Sequence, residues 1–179
     1  MKDVWNWIIV MSLTAGLGPA SFRSPIRSAT DGPRADLCPE LESLRPFLGN
    51  WVGHFDEPGE TMEILTAWTP MLDGQAVRET RAIAEGGFSH EKILYFDRTA
   101  GGIAYLVITN NGYVSRGRLA FDRDRFVSSG EQILPDGSVQ STSGSLRFTE
   151  TGTLVEQGGK RDADGAWLPS GHTIIFSRR

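Results

Sequence analysis

Residues 44–55 read LRPFLGNWVGHF and set the frame for the rest of the chain. A short amphipathic lead-in runs into Gly49-Asn50-Trp51, a Gly-x-Trp signal at the start of the first convincing β-strand. Gly49 lets the backbone turn into that strand without a Cβ clash. Trp51 brings a large ring that has to be buried and an indole N–H that needs an acceptor. The pairing suits the closed end of a β-barrel, where one aromatic side chain plugs the floor.

Upstream of this stretch, Pro39 fits the first turn of a short helix, with Leu41, Leu44 and Phe47 at i, i+3 and i+6 on one face. The helix either caps the barrel or packs against its outside, and the sequence does not choose. Residues 21–37, SFRSPIRSATDGPRADL, are rich in Ser, Pro, Arg and Asp without apolar periodicity and read as a flexible linker. Residues 1–20 read as a signal peptide, with a mainly apolar run over 4–17 and the small residues Gly18-Pro19-Ala20 at its end. Asp3 cancels Lys2 in its first region, and a tethering N-terminus is the alternative. The run is shorter than the roughly 20 apolar residues of a membrane span. The expectation is an exported protein, periplasmic or secreted, with no membrane span after cleavage.

Downstream, turn signals recur at Pro58-Gly59, Asp73-Gly74, Gly86-Gly87, Ala100-Gly101, Asn111-Gly112, residues 122–125, Asp136-Gly137, Thr151-Gly152 and Asp164-Gly165. Asn111-Gly112 is the sharpest, because both residues tolerate the positive φ of a tight hairpin. The segments between are β-rich and predict strands over 49–56, 62–69, 75–84, 88–97, 102–109, 113–121, 125–133, 138–148, 153–160 and 171–178. No connection has room for a crossover helix of about a dozen residues, so neighbours are antiparallel. A meander of this length leaves two bare edges unless it closes on itself. The expected fold is all-β: a ten-stranded antiparallel up-and-down barrel over 38–179, with a short N-terminal helix.

Composition narrows the function. The chain has 179 residues and a formal charge of −4, with no Lys/Arg stripe, which argues against nucleic acid as a partner. Cys38 is the only cysteine, so no intramolecular disulfide forms and the residue reads as a free thiol. The three histidines, His54, His90 and His172, lack metal-ligand spacing, and no Gly-x-Ser-x-Gly elbow or phosphate loop is present. His90 and Glu91 are adjacent, so in a strand they point to opposite faces and form no dyad. No catalytic residue and no enzyme activity is assigned.

Barrel diameter grows with strand number, so ten strands leave room for a ligand in a mostly apolar cavity with a few placed polar groups. Candidate lining residues are Trp68, Arg78, Tyr95, Tyr105, Arg116, Arg118 and His172. In the sixth predicted strand Arg116 and Arg118 lie on one face and Leu119 on the other, and period-two reasoning does not say which looks inward. An inward arginine needs a carboxylate or an anionic ligand; Glu79, Glu91 and Glu131 are available.

Residues 44–179 resemble the bacterial lipocalin-like domains grouped as domain of unknown function 1579, through LGNW (48–51), WTPMLDG (68–74) and YFDRTAGG (95–102). The resemblance implies a calycin-type barrel and no established activity. LRPFLGNWVG is also similar to the opening of nitrobindin, a ten-stranded haem-binding barrel, with Gly49, Trp51 and Gly53 at its Gly-x-Trp-x-Gly positions. That family holds haem through a histidine at the start of the final strand, before a basic pair; here His172 begins HTIIFSRR. The second resemblance implies His172 as a haem ligand. In lipocalins a late arginine packs over the tryptophan, which implies Arg178 over Trp51, with Gly49 as the third structural residue. The expectation is a binder of a small hydrophobic ligand, with no cofactor. A haem protein is the alternative, and a homodimer is left open.

Overall fold

A computed structural model describes residues 36–57, 60–161, 164 and 167–179. The expected leader at 1–20 lies outside the described residues, as does the linker except for Asp36 and Leu37. The described residues form a 3-10 helix (Pro39–Phe47) and ten strands. These are β1 (Gly49–Glu57), β2 (Glu60–Met71), β3 (Ala76–Ile83), β4 (Ser89–Asp97), β5 (Gly102–Thr109), β6 (Val114–Asp122), β7 (Arg125–Ile133), β8 (Val139–Phe148), β9 (Leu154–Arg161) and β10 (Trp167–Arg178).

Each strand pairs antiparallel with its sequence neighbour, and β1 pairs with β10 to close the barrel. Trp51 sits opposite Arg178 and Gly53 opposite Phe176 across that seam. Closure removes both free edges, which answers the need of a long meander. The hairpin turns use left-handed backbone as expected: Gly112, for example, has φ 87°. Two strands run longer than expected: β2 extends by two residues at each end, over Glu60–Met71 rather than 62–69. β10 starts at Trp167 rather than 171, because the ladder runs on through Pro169↔Gly159 and shifts register before Thr173. Pro169 reads as a strand breaker, and an irregularity of this kind is where a sheet accepts a proline.

The helix caps the barrel. Leu41, Leu44 and Phe47 are fully buried, and their spacing of three matches the 3-10 period, so they stack on one line. The Phe47 ring lies 5.2 Å from Trp68, 5.3 Å from Phe126 and 4.9 Å from Phe148. The chain ahead of the helix is fastened too. Cys38 N–H donates to the Gly74 carbonyl at 3.0 Å, and a Cβ on Gly74, whose φ is 80°, would strike the Asp36 carbonyl.

Trp51 is the plug. Its indole N–H donates to the Phe47 carbonyl at 2.7 Å, which supplies the acceptor its burial requires. Arg178 lies 4.6 Å from the centre of the Trp51 ring and donates to the carbonyls of Leu48 (2.9 Å) and Pro46 (2.8 Å). One guanidinium thus ties the last strand to the helix and to the plug.

Candidate functional site

Alternation along β3 and β4 sets the site. Val77 and Leu94 are fully buried among the apolar side chains of the interior, and two-residue steps from them bring Glu79, Arg81, Lys92 and His90 to the same face. Register places them side by side: Trp68 opposite Glu79 opposite Lys92, and Thr66 opposite Arg81 opposite His90. The result is a charged cluster inside the barrel.

Glu79 is its centre, with 0% of its side chain exposed. Its Oε1 lies 2.7 Å from an Arg81 nitrogen and 3.4 Å from His90 Nε2, and its Oε2 lies 3.1 Å from Lys92 Nζ. Arg81 also reaches across the interior to Glu156 on β9, donating to both carboxylate oxygens at 3.0 and 2.6 Å. This two-pronged contact is the strong form of an arginine–carboxylate pair. Aromatic faces surround the cations: Arg81 stands 5.1 Å from the Phe176 ring, and Lys92 5.6 Å from Trp68 and 5.7 Å from Tyr105.

The electrostatics follow from burial and neighbours. Burial pushes the Glu79 carboxyl up, but Lys92 and Arg81 overcome it and hold the group well below its ordinary range. Burial likewise pushes Glu156 up, and the charge and hydrogen bonds of Arg81 bring it below its ordinary range. His90 goes the other way. Burial lowers it, and Arg81 and Lys92 add to that, outweighing Glu79, so the imidazole is neutral at neutral pH. Two carboxylates therefore face one guanidinium and one ammonium, and the cluster sums to zero.

Hydrogen bonding is not complete. Thr66 Oγ1, Trp68 Nε1, both Glu79 oxygens, Arg81 Nε and His90 Nε2 are buried without a hydrogen-bond partner among the described residues. The Glu79 oxygens and His90 Nε2 nonetheless meet partners within the cluster, Arg81, Lys92 and each other, so the buried atoms left without a polar neighbour are Thr66 Oγ1, Trp68 Nε1 and Arg81 Nε. Across the barrel, β6 to β9 carry small residues at positions in phase with inward Leu119, Phe126, Leu146 and Leu154: Gly117, Ser128, Gly130, Gly144 and Gly158. Gly117 and Gly130 face one another, and a Cβ on either would come 2.7 Å from the Tyr105 hydroxyl oxygen.

Of the residues expected to line the interior, Trp68 and Tyr105 do so. Arg78, Tyr95, Arg116 and Arg118 stand on the outer wall, because the buried phase of their strands belongs to Val77, Leu94 and Leu119. Arg78 faces Glu91 at 3.9 Å and Arg116 faces Glu131 at 3.3 Å, both exposed. Tyr95, Arg116 and Arg118 border an open depression of about 580 Å³ floored by Ala104, Gly117 and Gly130. His172 falls within β10, but its side chain lies outside the described residues, and so does the haem-ligand role expected of it. His90 and Glu91 separate to opposite faces, one in the cluster and the other paired with Arg78.

Sequence reasoning missed Arg81, His90, Lys92 and Glu156, and took Glu79 only as a spare partner. The available signal was the alternation Val77-x-Glu79-x-Arg81, which puts charge in phase with an aliphatic residue. Among the described residues, no group of three His, Cys, Asp or Glu side chains is placed to hold a metal ion. No helix among them is long and apolar enough to cross a membrane. No family model matches the chain, and no curated protein matches its sequence. The closed ten-stranded antiparallel barrel is compatible with a calycin-like fold.

Proposed function

We propose that this protein binds a small, largely apolar molecule inside the barrel, with the charged cluster meeting one polar end of it. The observation that carries the reading is the set of buried polar atoms Thr66 Oγ1, Trp68 Nε1 and Arg81 Nε, which lack hydrogen-bond partners among the described residues beside the charged cluster. An unpartnered buried polar group costs about 1–3 kcal/mol, so such groups mark places where a further molecule is accommodated. Their setting is apolar and aromatic, with Trp68, Tyr105 and Phe176 around the cations and small residues on the far wall. Mostly apolar walls with a few convergent polar groups are the usual make-up of a small-molecule site. Export, expected from residues 1–20, belongs to the same reading, and fractionation of the source cell tests it.

The binding experiment is uptake of an environment-sensitive hydrophobic probe by the purified protein. Trp68→Phe and Tyr105→Ala are measured beside the wild type. Saturable uptake at one site, weakened by both substitutions, supports the proposal. A folded protein that takes up no probe overturns it. A Soret band on adding hemin that disappears in His172→Ala would instead make haem the occupant.

A further inference from the structure

We infer that the polar end of the ligand is uncharged: the barrel selects a hydroxyl- or amide-headed amphiphile and rejects its carboxylate and ammonium counterparts. This rests on the binding reading above and names the chemistry of the head.

The basis is the balance of the cluster. Glu79 and Glu156 are matched by Arg81 and Lys92, all within one connected set of contacts of 2.6 to 3.1 Å. The side chains are 0% exposed for Glu79, 10% for Arg81, 15% for Lys92 and 29% for Glu156, so solvent screens these charges weakly. A ligand carboxylate would add a net negative charge beside this balanced cluster, and an ammonium a net positive one. Neither has a free counter-charge to meet. Pairing a carboxylate with Lys92 or Arg81 means taking that cation from Glu79, which would then be a stranded buried anion.

The unpartnered atoms ask for a different chemistry. Trp68 Nε1 is a donor without a partner, and Thr66 Oγ1, two positions along the same face of β2, can both donate and accept. Arg81 Nε, opposite Thr66 on β3, is a further donor. A head that donates and accepts at once satisfies this set, and a hydroxyl or a primary amide does both. An ammonium only donates, so it leaves the Trp68 and Arg81 donors unmet, and a carboxylate meets them only against the charge balance above. Charge balance and hydrogen-bond complement therefore point to the same class.

The test is a matched series of ten-carbon chains, decanol, decanamide, decanoate and decylammonium, competing with the hydrophobic probe at about pH 7.5, where both ions are charged. In the wild type, decanol and decanamide are expected to bind at least tenfold more tightly than either ion. Glu79→Gln leaves the cluster with one excess positive charge, and decanoate should then gain at least tenfold relative to decanol. Lys92→Met leaves one excess negative charge, and the gain should pass to decylammonium. Each variant is measured below its melting transition, and the wild-type order needs no variant at all. Wild-type decanoate or decylammonium binding as tightly as decanol overturns the inference, as does an order indifferent to both substitutions. Those outcomes leave the binding reading standing. Failure of every chain and of the probe brings down both.

Discussion

The guanidinium of Arg178 lies over Trp51 at 4.6 Å and, from that position, donates to two carbonyls of the segment that ends the helix. The relationship joins three parts of the chain at one point: the cap, the first strand and the last. Removing either partner should loosen all three. Trp51→Ala is expected to cost about 3–5 kcal/mol, as for a buried aromatic truncated to alanine. Arg178→Leu is expected to cost about 1–2 kcal/mol through the two lost hydrogen bonds. Urea denaturation of both variants measures these values. A Trp51→Ala protein with the wild-type midpoint would remove Trp51 as the plug.

The cap should behave as part of the core. Phe47 touches rings from β2, β7 and β8, so Phe47→Ala is expected to lose about 3–5 kcal/mol. If the helix were an ornament, the variant would unfold with the wild-type midpoint. Hydrogen exchange would separate the cases, since a docked cap protects the Trp51 indole N–H bonded to Phe47.

Glu79 and Lys92 should be coupled. Glu79→Gln leaves the buried Lys92 ammonium without its carboxylate, and breaking a buried pair in this way costs about 3–5 kcal/mol. Changing Lys92→Met in the same chain restores neutrality and keeps Arg81 on Glu156, so much of the loss should return. A double-mutant cycle is expected to give a coupling of about 1–3 kcal/mol. Strictly additive losses would show that the two side chains do not hold one another.

Acid should destabilise the fold in two stages. The folded His90 titrates below its ordinary value of 6.5, so the unfolded chain takes up the proton first and stability falls as pH drops below that value. Glu79 and Glu156 are also held below their ordinary 4.5, so their contribution is present above that pH and disappears as pH falls further. Thermal melts from pH 8 to 3 should show the decline, and His90→Gln should flatten its upper part. A melting temperature that rises on acidification across this range would contradict the burial of the cluster.

Gly53 is packed under a ring. A Cβ there would lie 2.5 Å from the Phe176 ring, so Gly53→Ala is expected to cost about 1–3 kcal/mol by overpacking. Phe176→Leu in the same chain should recover part of that cost, and the denaturation midpoint reads it directly. No recovery would mean that the backbone, not the ring, refuses the methyl group.

Most of the barrel was legible because its turns are written in residues with a single use. The strands at 102–109 and 125–133 fall where expected, bracketed by turns such as Ala100-Gly101 and Asp136-Gly137 that carry left-handed glycines. β10 was begun too late in the chain because Pro169 looks like a strand breaker, while the ladder that continues through it depends on pairing with β9. The position of the helix was open for a similar reason: Leu41, Leu44 and Phe47 declare an apolar face but not what it meets. The cluster was the least legible part. Residues 78–81 are polar on both faces, so alternation cannot show which pair turns inward. Arg78 and Arg81 look alike in the sequence. Only the phase imposed by Val77, together with a carboxylate on β9 some 75 positions away, distinguishes them.

Nine of the ten strand pairings join neighbours in sequence, and only the seam between β1 and β10 spans the whole domain. A nascent chain can therefore zip hairpin onto hairpin as it emerges, yet it stays an open sheet until the final strand arrives. During that interval β1 and β9 both present unsatisfied N–H and C=O groups, which invite pairing with another nascent copy. Seam contacts such as Trp51–Arg178 would then bear on the yield of monomeric protein as well as on the lifetime of the finished barrel.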